Sequence, residues 1–217
     1  MRQLVIIGSG GFGQEAAWVA ESMNEELAEE ERWQIRGYLD DNEQCVGREL
    51  YGYKVLGRTD AWVAKGPCFY YCAIGRNAVR EAMSVRADAL GWLPATLIHR
   101  SVVRARQTEV GAGTFIGPGC ILSPNSVVGR HVIINQRVSV GHDARMEDFS
   151  QACPGAQING NCRIGRGALV GSNASIHQGK AVGECAVVGA NSQVITHVRA
   201  RTSVCGVPAM RVGLADE

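Results

Sequence analysis

The second half of this chain repeats every six residues. Counting in sixes from Val110 to Val194 gives fifteen positions, and thirteen of them hold Leu, Ile or Val, although these three types make up only 48 of the 217 residues. The positions are Val110, Ile116, Leu122, Val128, Ile134, Val140, Met146, Ala152, Ile158, Ile164, Val170, Ile176, Val182, Val188 and Val194. A short period without insertions is typical of a solenoid.

Small residues and glycines accompany the aliphatic positions. A small residue stands four places after each of them, ending at Val198 and with Lys180 as the exception, and Gly directly follows the aliphatic residue eight times. Neither an α-helix nor a single alternating strand has a period of six. The pattern therefore predicts a parallel β-helix in which the aliphatic residue points inward, the small residue packs at a corner and Gly permits the turn. Three hexads per coil and five coils would span roughly 24 Å.

Composition narrows the class of protein. With 46% hydrophobic and 20% charged residues the chain is expected to be a soluble globular protein. No apolar run reaches the eighteen or so residues that cross a bilayer, so we expect no membrane span and a cytoplasmic location. The eight cysteines match no zinc spacing and are interpreted as reduced structural thiols. Residues 1–96 carry a net charge of −4 and residues 97–217 of +5, an imbalance too small to indicate nucleic acid.

The first 96 residues alternate between strand and helix patterns. Leu4–Ile7 is a short apolar strand, and residues 14–23 and 77–90 follow helical patterns. Further strands are predicted at 34–39, 54–56 and 68–74. This alternation implies a parallel sheet. We therefore expect an α/β half-Rossmann-like domain over 1–96, followed by a β-helix domain over 97–217.

A glycine loop and an aspartate pair in the first domain suit a nucleotide. Gly8, Gly10 and Gly13 follow a strand and precede a helix, where backbone amides can hold phosphate. Asp40 and Asp41 close the second strand, where carboxylates can accept hydrogen bonds from a ribose or base. A plain polar turn is the alternative. Half a domain is too small for a dinucleotide, so a mononucleotide is the better interpretation.

His142 and Asp143 form the candidate catalytic pair of the second domain. His142 occupies an outward hexad position, and imidazole is suited to accept a proton near neutral pH. The Asp143 carboxylate would orient the ring. Eighteen residues onward lies Gly160, whose N–H would stand one coil above the imidazole and stabilise an oxyanion. The alternative is a surface pair without function.

A metal site is the competing hypothesis for the histidines. Three histidines hold a metal between the β-helical subunits of the γ-class carbonic anhydrases, and His131, His177 and His197 are available here. In the eighteen-residue register none of the histidines stacks on another. We therefore expect no metal.

Several segments resemble the bacterial nucleotide-sugar acetyltransferases, which include the N-acetyltransferases of 4-amino sugars and the sialic acid O-acetyltransferases. They are Ile7–Gly13, Tyr38–Asp41, Gly52–Gly57, Ala73–Asn77, Leu97–His99, Val140–Asp143 and the ending Cys205–Met210. The resemblance implies a left-handed β-helix, a homotrimer with active sites between subunits, and acetyl-coenzyme A as co-substrate.

The same resemblance assigns binding residues. It transfers nucleotide-sugar binding to Gly8, Ser9, Gly10, Asp40 and Asp41, and acetyl-coenzyme A binding to Gln151, Ser172 and Ala190. Three positions depart from the family pattern: Phe12 and Gln151 stand where histidines are common, and Met210 stands where a lysine is usual. Arg211 is the candidate for the phosphate contact instead, and a solvated arginine without such a contact is the alternative.

The expected function is acetyl transfer from acetyl-coenzyme A to the amine of a nucleotide-linked amino sugar, of the 4-amino-4,6-dideoxy type. Direct attack in a ternary complex is expected, because no cysteine neighbours His142 in the coil register. O-acetylation of a sialic or related acid is the nearest alternative. A non-catalytic nucleotide-sugar-binding scaffold is a more remote one.

Overall fold

The computed structural model describes residues 1–64 and 66–215, which divide after Arg100 into two compact units. The first unit contains β1 (Arg2–Ile7), α1 (Gly11–Asn24), β2 (Trp33–Leu39), β3 (Glu49–Leu50), β4 (Tyr53–Gly57), β5 (Cys68–Cys72), α2 (Asn77–Ala89), β6 (Leu93–Pro94) and β7 (Leu97–Ile98). Single 3₁₀ turns lie at Glu29–Glu31 and Glu43–Cys45. No helix in these described ranges is long and apolar enough to cross a membrane.

A sheet in the order β3-β4-β2-β1-β5-β6 forms the centre of the first unit. Strand β1 pairs in parallel with β2 and β5, as predicted, and the β3–β4 hairpin is antiparallel. The buried residues of β1 and α1 supply the core, because both elements are apolar on the facing side. The carboxyl ends of β1 and β2 meet at one edge, which places the glycine loop beside the aspartate pair.

Helix α1 begins at Gly11, three residues before the predicted start. The Gln14 N–H donates to the Gly10 carbonyl over 3.2 Å, so the glycine loop itself forms the first turn. Gly13 is required there, since an added Cβ would strike the carbonyl oxygen of Gly8. Close packing of helix on strand thus explains the third glycine of the motif.

The second unit is a parallel β-helix with three flat sides, built mostly from two-residue strands numbered β8 to β25 in chain order. The first stack holds β8 (Val103–Arg104), β11 (Ile121–Leu122), β14 (Ser139–Val140), β17 (Gln157–Ile158), β20 (Ser175–Ile176) and β23 (Gln193–Val194). The second stack holds β9 (Glu109–Val110), β12 (Val127–Val128), β15 (Arg145–Met146), β18 (Arg163–Ile164) and β21 (Ala181–Val182). The third stack holds β10 (Phe115–Ile116), β13 (Ile133–Ile134), β16 (Gln151–Ala152), β19 (Leu169–Val170), β22 (Val187–Val188), β24 (Thr202–Cys205) and β25 (Met210–Leu214).

Residues eighteen apart are neighbours in adjacent coils. Val140 pairs with Leu122 on one side and with Ile158 on the other, both in parallel. The inward side chains of Val140 and Ile158 are fully buried, as are Ile134 and Met146. The predicted interior of the β-helix is confirmed. Among the cysteines, Cys68, Cys72, Cys120 and Cys162 are buried, as expected of structural thiols, whereas Cys185 and Cys205 are exposed.

The recurring glycines have a different role from the predicted one. They do not adopt the left-handed backbone of the turn, which lies two residues later, for example at Asp143, Asn173 and Asn191 with φ between 56° and 59°. Instead they allow coils to approach closely. A Cβ on Gly141 would lie 2.5 Å from the Gly160 nitrogen of the next coil. The prediction that these glycines permit the turn is therefore wrong: backbone crowding, not φ, requires them.

The hexad register holds through Val194, which pairs with Ile176, and the prediction is wrong only for the last corner residue, Val198. Val198 was placed at a corner, but it pairs with Val182 and its side chain is buried inside the coil. The last coil is two residues shorter, since Val188 then pairs with Val204. Strand β25 folds back antiparallel on β24 and closes this end of the third stack.

Candidate functional site

The turn between β14 and β15 carries His142 and Asp143. This turn joins the first stack to the second, and the eighteen-residue register places Gly160 next to His142 in the following coil. A Cβ on Gly160 would lie 2.5 Å from His142 Nε2. The missing side chain at Gly160 therefore makes room for the imidazole, and the predicted adjacency of these two residues is confirmed.

Asp143 holds the other ring nitrogen. His142 Nδ1 lies 2.8 Å from Asp143 Oδ2, and both side chains are about half exposed. The hydrogen bond from His142, followed by one from Asn125, lowers the pKa of Asp143, so the carboxylate stays ionised near neutral pH. An ionised partner favours the imidazole tautomer that carries its proton on Nδ1. Nε2 then presents a free lone pair beside Gly160.

Asn125 is a member of this site that the sequence interpretation missed. Its Nδ2 donates to Asp143 Oδ1 over 3.0 Å from the coil before. The signal was available, because 125 is eighteen less than 143. Asn125 thus engages the carboxylate oxygen that His142 does not use, and the two hydrogen bonds together restrict the rotation of Asp143.

The peptide N–H of Gly160 is a free donor. Gly160 is buried, and its N–H donates to no acceptor within the described parts of the chain, whereas its carbonyl accepts from Gly179 N over 2.9 Å. A buried N–H without a partner is costly. This donor is therefore available to an oxygen atom of a ligand that approaches Nε2.

The residues assigned to acetyl-coenzyme A lie elsewhere on the β-helix. Gln151 is on β16 in the third stack and is 9% exposed; its Oε1 has no hydrogen-bond partner among the described residues, and its amide nitrogen lies 3.8 Å from Cys153 Sγ. Ser172 and Ala190 occupy one turn in successive coils, where Asn191 N donates to the Ser172 carbonyl. Arg211 is exposed on β25. None of these four hydrogen-bonds with His142.

The glycine loop of the first unit is braced by Asp40. Ser9 donates to Asp40 Oδ2 from its backbone N–H over 2.9 Å and from its hydroxyl over 2.6 Å, and Asn42 N donates to Oδ1 over 3.0 Å. Partial burial raises the pKa of Asp40, but these hydrogen bonds outweigh it, and the net pKa is lowered. Gly8, with φ of 100°, turns the chain out of β1.

Asp41 also has protein partners. Its Oδ1 accepts from Thr59 N over 3.1 Å, and its Oδ2 pairs with Arg86 over 3.2 Å. The sequence predicted that both aspartates offer their carboxylates to a ribose or base. It did not predict that each carboxylate already accepts hydrogen bonds from other residues of the first unit. The carboxylate of Asp40 accepts three hydrogen bonds from the protein.

The chain is similar to known proteins both in sequence and in fold. Residues 3–87 match the PglD N-terminal domain. Over 178 residues the chain is 30% identical to the GDP-perosamine N-acetyltransferase of Escherichia coli O157:H7, covering 80% of this chain and 77% of that protein.

Solved structures share the fold across nearly the whole chain. The acetyltransferase domain of PglB from Neisseria gonorrhoeae FA1090, in complex with acetyl coenzyme A, is 26% identical with a TM-score of 0.86, covering 97% of this chain and 99% of that one. A histidine-to-asparagine variant of perosamine N-acetyltransferase from Caulobacter crescentus, in complex with CoA and GDP-perosamine, is 24% identical with a TM-score of 0.90, covering 98% of both. These matches confirm the α/β region followed by a left-handed parallel β-helix.

Proposed function

Because the chain belongs to the bacterial nucleotide-sugar acetyltransferase family and is an acetyl-coenzyme A-dependent sugar N-acetyltransferase, we propose that it acetylates a nucleotide-linked 4-amino-4,6-dideoxy sugar with His142 as general base. The relative from Escherichia coli is a GDP-perosamine N-acetyltransferase, which supports an amine acceptor over the hydroxyl of a sialic acid. A GDP-linked 4-amino sugar is therefore the first acceptor to test.

One observation carries the proposed mechanism: Nε2 of His142 lies against Gly160, within 2.5 Å of where a Cβ would be, and the Gly160 N–H donates to no acceptor in the described residues. The sugar amine attacks the thioester carbonyl, so a carbon–nitrogen bond forms and the carbonyl oxygen becomes an oxyanion. Nε2 takes the proton from the amine, and the Gly160 N–H donates to the oxyanion. The carbon–sulfur bond then breaks, and the departing thiolate of coenzyme A takes the proton from the imidazolium.

Each residue of the site is expected to contribute a moderate factor to the rate of acetyl transfer. A positioned general base supplies a rate factor on the order of 10² to 10⁴. One oxyanion donor is worth on the order of 10² to 10³. Asp143 adds the correct tautomer and stabilises the imidazolium as it forms. Positioning of the two substrates supplies much of the remaining acceleration.

Substrate binding is divided between the two units in this proposal. Gly8, Ser9 and Gly10 line the site of the nucleotide diphosphate at the start of α1, where the N-terminus of the helix favours anions. The N–H groups of Gly8 and Ser9 already donate to Leu39 and Asp40, so these two residues shape the loop around the phosphate. Asp40 keeps this loop in shape, and Asp41 contacts the nucleoside. Acetyl-coenzyme A lies along the β-helix, against Gln151, Ser172, Ala190 and Arg211. We expect the enzyme in the cytoplasm, where both substrates are made.

The proposed homotrimer rests on the position of Gln151 relative to His142. His142 lies at the corner between the first and second stacks, whereas Gln151 lies on the third stack, which is the side opposite that corner in a three-sided coil. One β-helix cannot bring both to the same acetyl group. A site that uses both residues therefore needs His142 from one copy and Gln151 from another, which closed rotational symmetry supplies.

Steady-state kinetics of His142→Ala test this proposal. Turnover of a GDP-linked 4-amino sugar should fall by about 10² or more, with nucleotide-sugar binding nearly unchanged. His177→Ala is the matched control, because His177 is an exposed histidine on the same β-helix and takes no part in the site. Wild-type turnover in His142→Ala would refute the mechanism. A panel of UDP-, GDP- and dTDP-linked amino sugars would identify the acceptor.

A further inference from the structure

A tryptophan lies on the side of α1 that faces away from the core. Trp18 is 39% exposed, whereas Trp33 and Trp92 are 7% and 6% exposed. Gln14 and Glu21 stand four residues before and three after Trp18, so the three side chains share one stripe of the helix. The ring of His99 packs against the indole, with ring centroids 5.2 Å apart, and the rest of the indole is open to solvent.

Tyr51 faces this stripe from a strained turn. It lies at the tip of the β3–β4 hairpin with φ of 49°, followed by Gly52 with φ of 75°. Two positive φ values in succession favour Asn-Gly, and a bulky aromatic residue is unfavourable in the first position. Tyr51 is nevertheless 47% exposed, so burial of its own ring does not explain the strain. Strained residues of this kind concentrate at ligand sites.

Tyr51 and the stripe border a shallow, solvent-open cleft of about 320 Å³, which we name the Trp18 cleft. It is lined by Gln14, Glu15, Trp18 and Tyr51. The volume is of the order expected for a small ligand. None of the four lining side chains is basic, and one is a carboxylate.

A second carboxylate lies beside the cleft within a group of tyrosines. Glu21 Oε1 accepts a 2.8 Å hydrogen bond from the Tyr53 hydroxyl. Desolvation and the nearby Glu21 carboxylate raise the pKa of Tyr51. The ring of Tyr38 meets that of Tyr53 edge-on at 6.4 Å. The Tyr38 hydroxyl is buried without a hydrogen-bond partner in the ranges that the structure describes. Aromatic rings and negative charge therefore converge on one side of α1.

We propose that the Trp18 cleft binds a primary ammonium group of the kind that amino sugars carry. The faces of Trp18 and Tyr51 attract a cation through their quadrupoles, and Glu15 and Glu21 add the opposite charge. An anionic ligand is disfavoured for the same reason, which separates this cleft from the phosphate-binding role proposed for the glycine loop. The choice of an amino sugar as the natural ligand rests on the proposed function.

Titration with a free amino sugar tests this proposal. D-glucosamine, which is protonated at neutral pH, is added at constant ionic strength without acetyl-coenzyme A, and N-acetyl-D-glucosamine is the neutral matched probe. Tryptophan emission reports binding, because Trp18 is strongly exposed. Glucosamine should change the emission saturably and bind at least about tenfold more tightly than the neutral probe. Equal binding of both probes, or no response to either, would overturn the proposal.

Two variants separate ligand binding from a structural role. Glu21→Gln keeps an acceptor for Tyr53 but removes the charge, and should weaken glucosamine binding about tenfold. Tyr51→Asn should weaken binding similarly and raise Tm by about 2 °C, because Asn suits the turn. A purely structural Tyr51 would instead lower Tm and leave binding unchanged. Trp62→Phe is the control that keeps the Trp18 signal.

The binding measurement is independent of acetyl transfer. His142→Ala should bind glucosamine as the wild type does. Failure of the Trp18 cleft to bind ammonium therefore leaves the proposed mechanism intact, and an active His142→Ala enzyme leaves the cleft intact.

Discussion

Asn125 donates a 3.0 Å hydrogen bond to Asp143, the residue directly above it in the next coil. Asp143 in turn holds His142 Nδ1 at 2.8 Å. The candidate base is therefore oriented from two successive coils, since the carboxylate that fixes the imidazole is itself fixed from below. Second partners of this kind determine how well a catalytic group keeps its orientation.

Asn125→Ala should lower kcat by about two- to tenfold, which is the rate equivalent of one hydrogen bond worth roughly 0.5–1.5 kcal/mol. KM for both substrates should stay unchanged, because Asn125 holds only Asp143. Asn161→Ala is a matched control: Asn161 has the same left-handed backbone at the same corner but does not bond Asp143. Equal losses in the two variants would show that only the backbone preference matters.

Gly160→Ala should reduce kcat on the order of a hundredfold while the protein still folds. The new Cβ would lie 2.5 Å from Nε2, so the imidazole must leave its position, and the backbone of Gly160 is not left-handed. Circular dichroism checks the fold, and steady-state kinetics measure the loss. Gly213→Ala is the control, because nothing lies within 4 Å of an added Cβ there. Full activity of Gly160→Ala would exclude the proposed contact between base and peptide.

Acid should weaken the hydrogen bonds by which Asp40 holds the glycine loop at Ser9. The pKa of Asp40 is lowered from 3.8 in the folded state, so its ionised form stabilises the unit above that pH, and the contribution is lost as the pH falls through the lowered pKa. The difference in Tm between wild type and Asp40→Asn should thus be constant from about pH 5 to pH 8 and shrink below about pH 4. A difference that persists unchanged to about pH 2 would contradict this assignment.

Ile158→Ala should destabilise the β-helix by about 2–5 kcal/mol, because the side chain is fully buried between coils. Urea unfolding followed by circular dichroism measures the change. The neighbouring Gln157→Ala alters an exposed side chain on the same strand and should cost about 0.5 kcal/mol or less. Comparable effects at both positions would argue against the inward-outward alternation.

The periodicity of the sequence was sufficient to predict that His142 and Gly160 are neighbours. Because residues eighteen apart stack, the pairing of His142 with Gly160 followed from counting, and the same count would have found Asn125. Counting did not reveal why the glycines recur. Close approach between coils involves backbone atoms of two hexads at once, which a pattern of single residues does not report.

Contacts between distant segments explain the other differences. Ser9 and Asp40 are 31 residues apart, and their hydrogen bonds depend on how β1 and β2 pair. The last coil is two residues shorter than the others, which moves Val198 inward. The six-residue period therefore breaks only at this end of the β-helix. Trp18 is 81 and 33 residues from His99 and Tyr51, and only the fold brings these two residues to its side.

Because the coils share one register, equivalent positions in successive coils of the β-helix lie roughly 4.8 Å apart along its axis. Successive coils have equivalent corners, so we expect the insertion or deletion of one eighteen-residue coil to impair folding far less than activity. Moving His142 by a single coil relative to the groups that hold the acetyl donor would shift the base by more than the length of a hydrogen bond. In the proposed mechanism, activity therefore depends on how many coils separate His142 from the residues that hold the acetyl donor, whereas stability depends on this number only weakly.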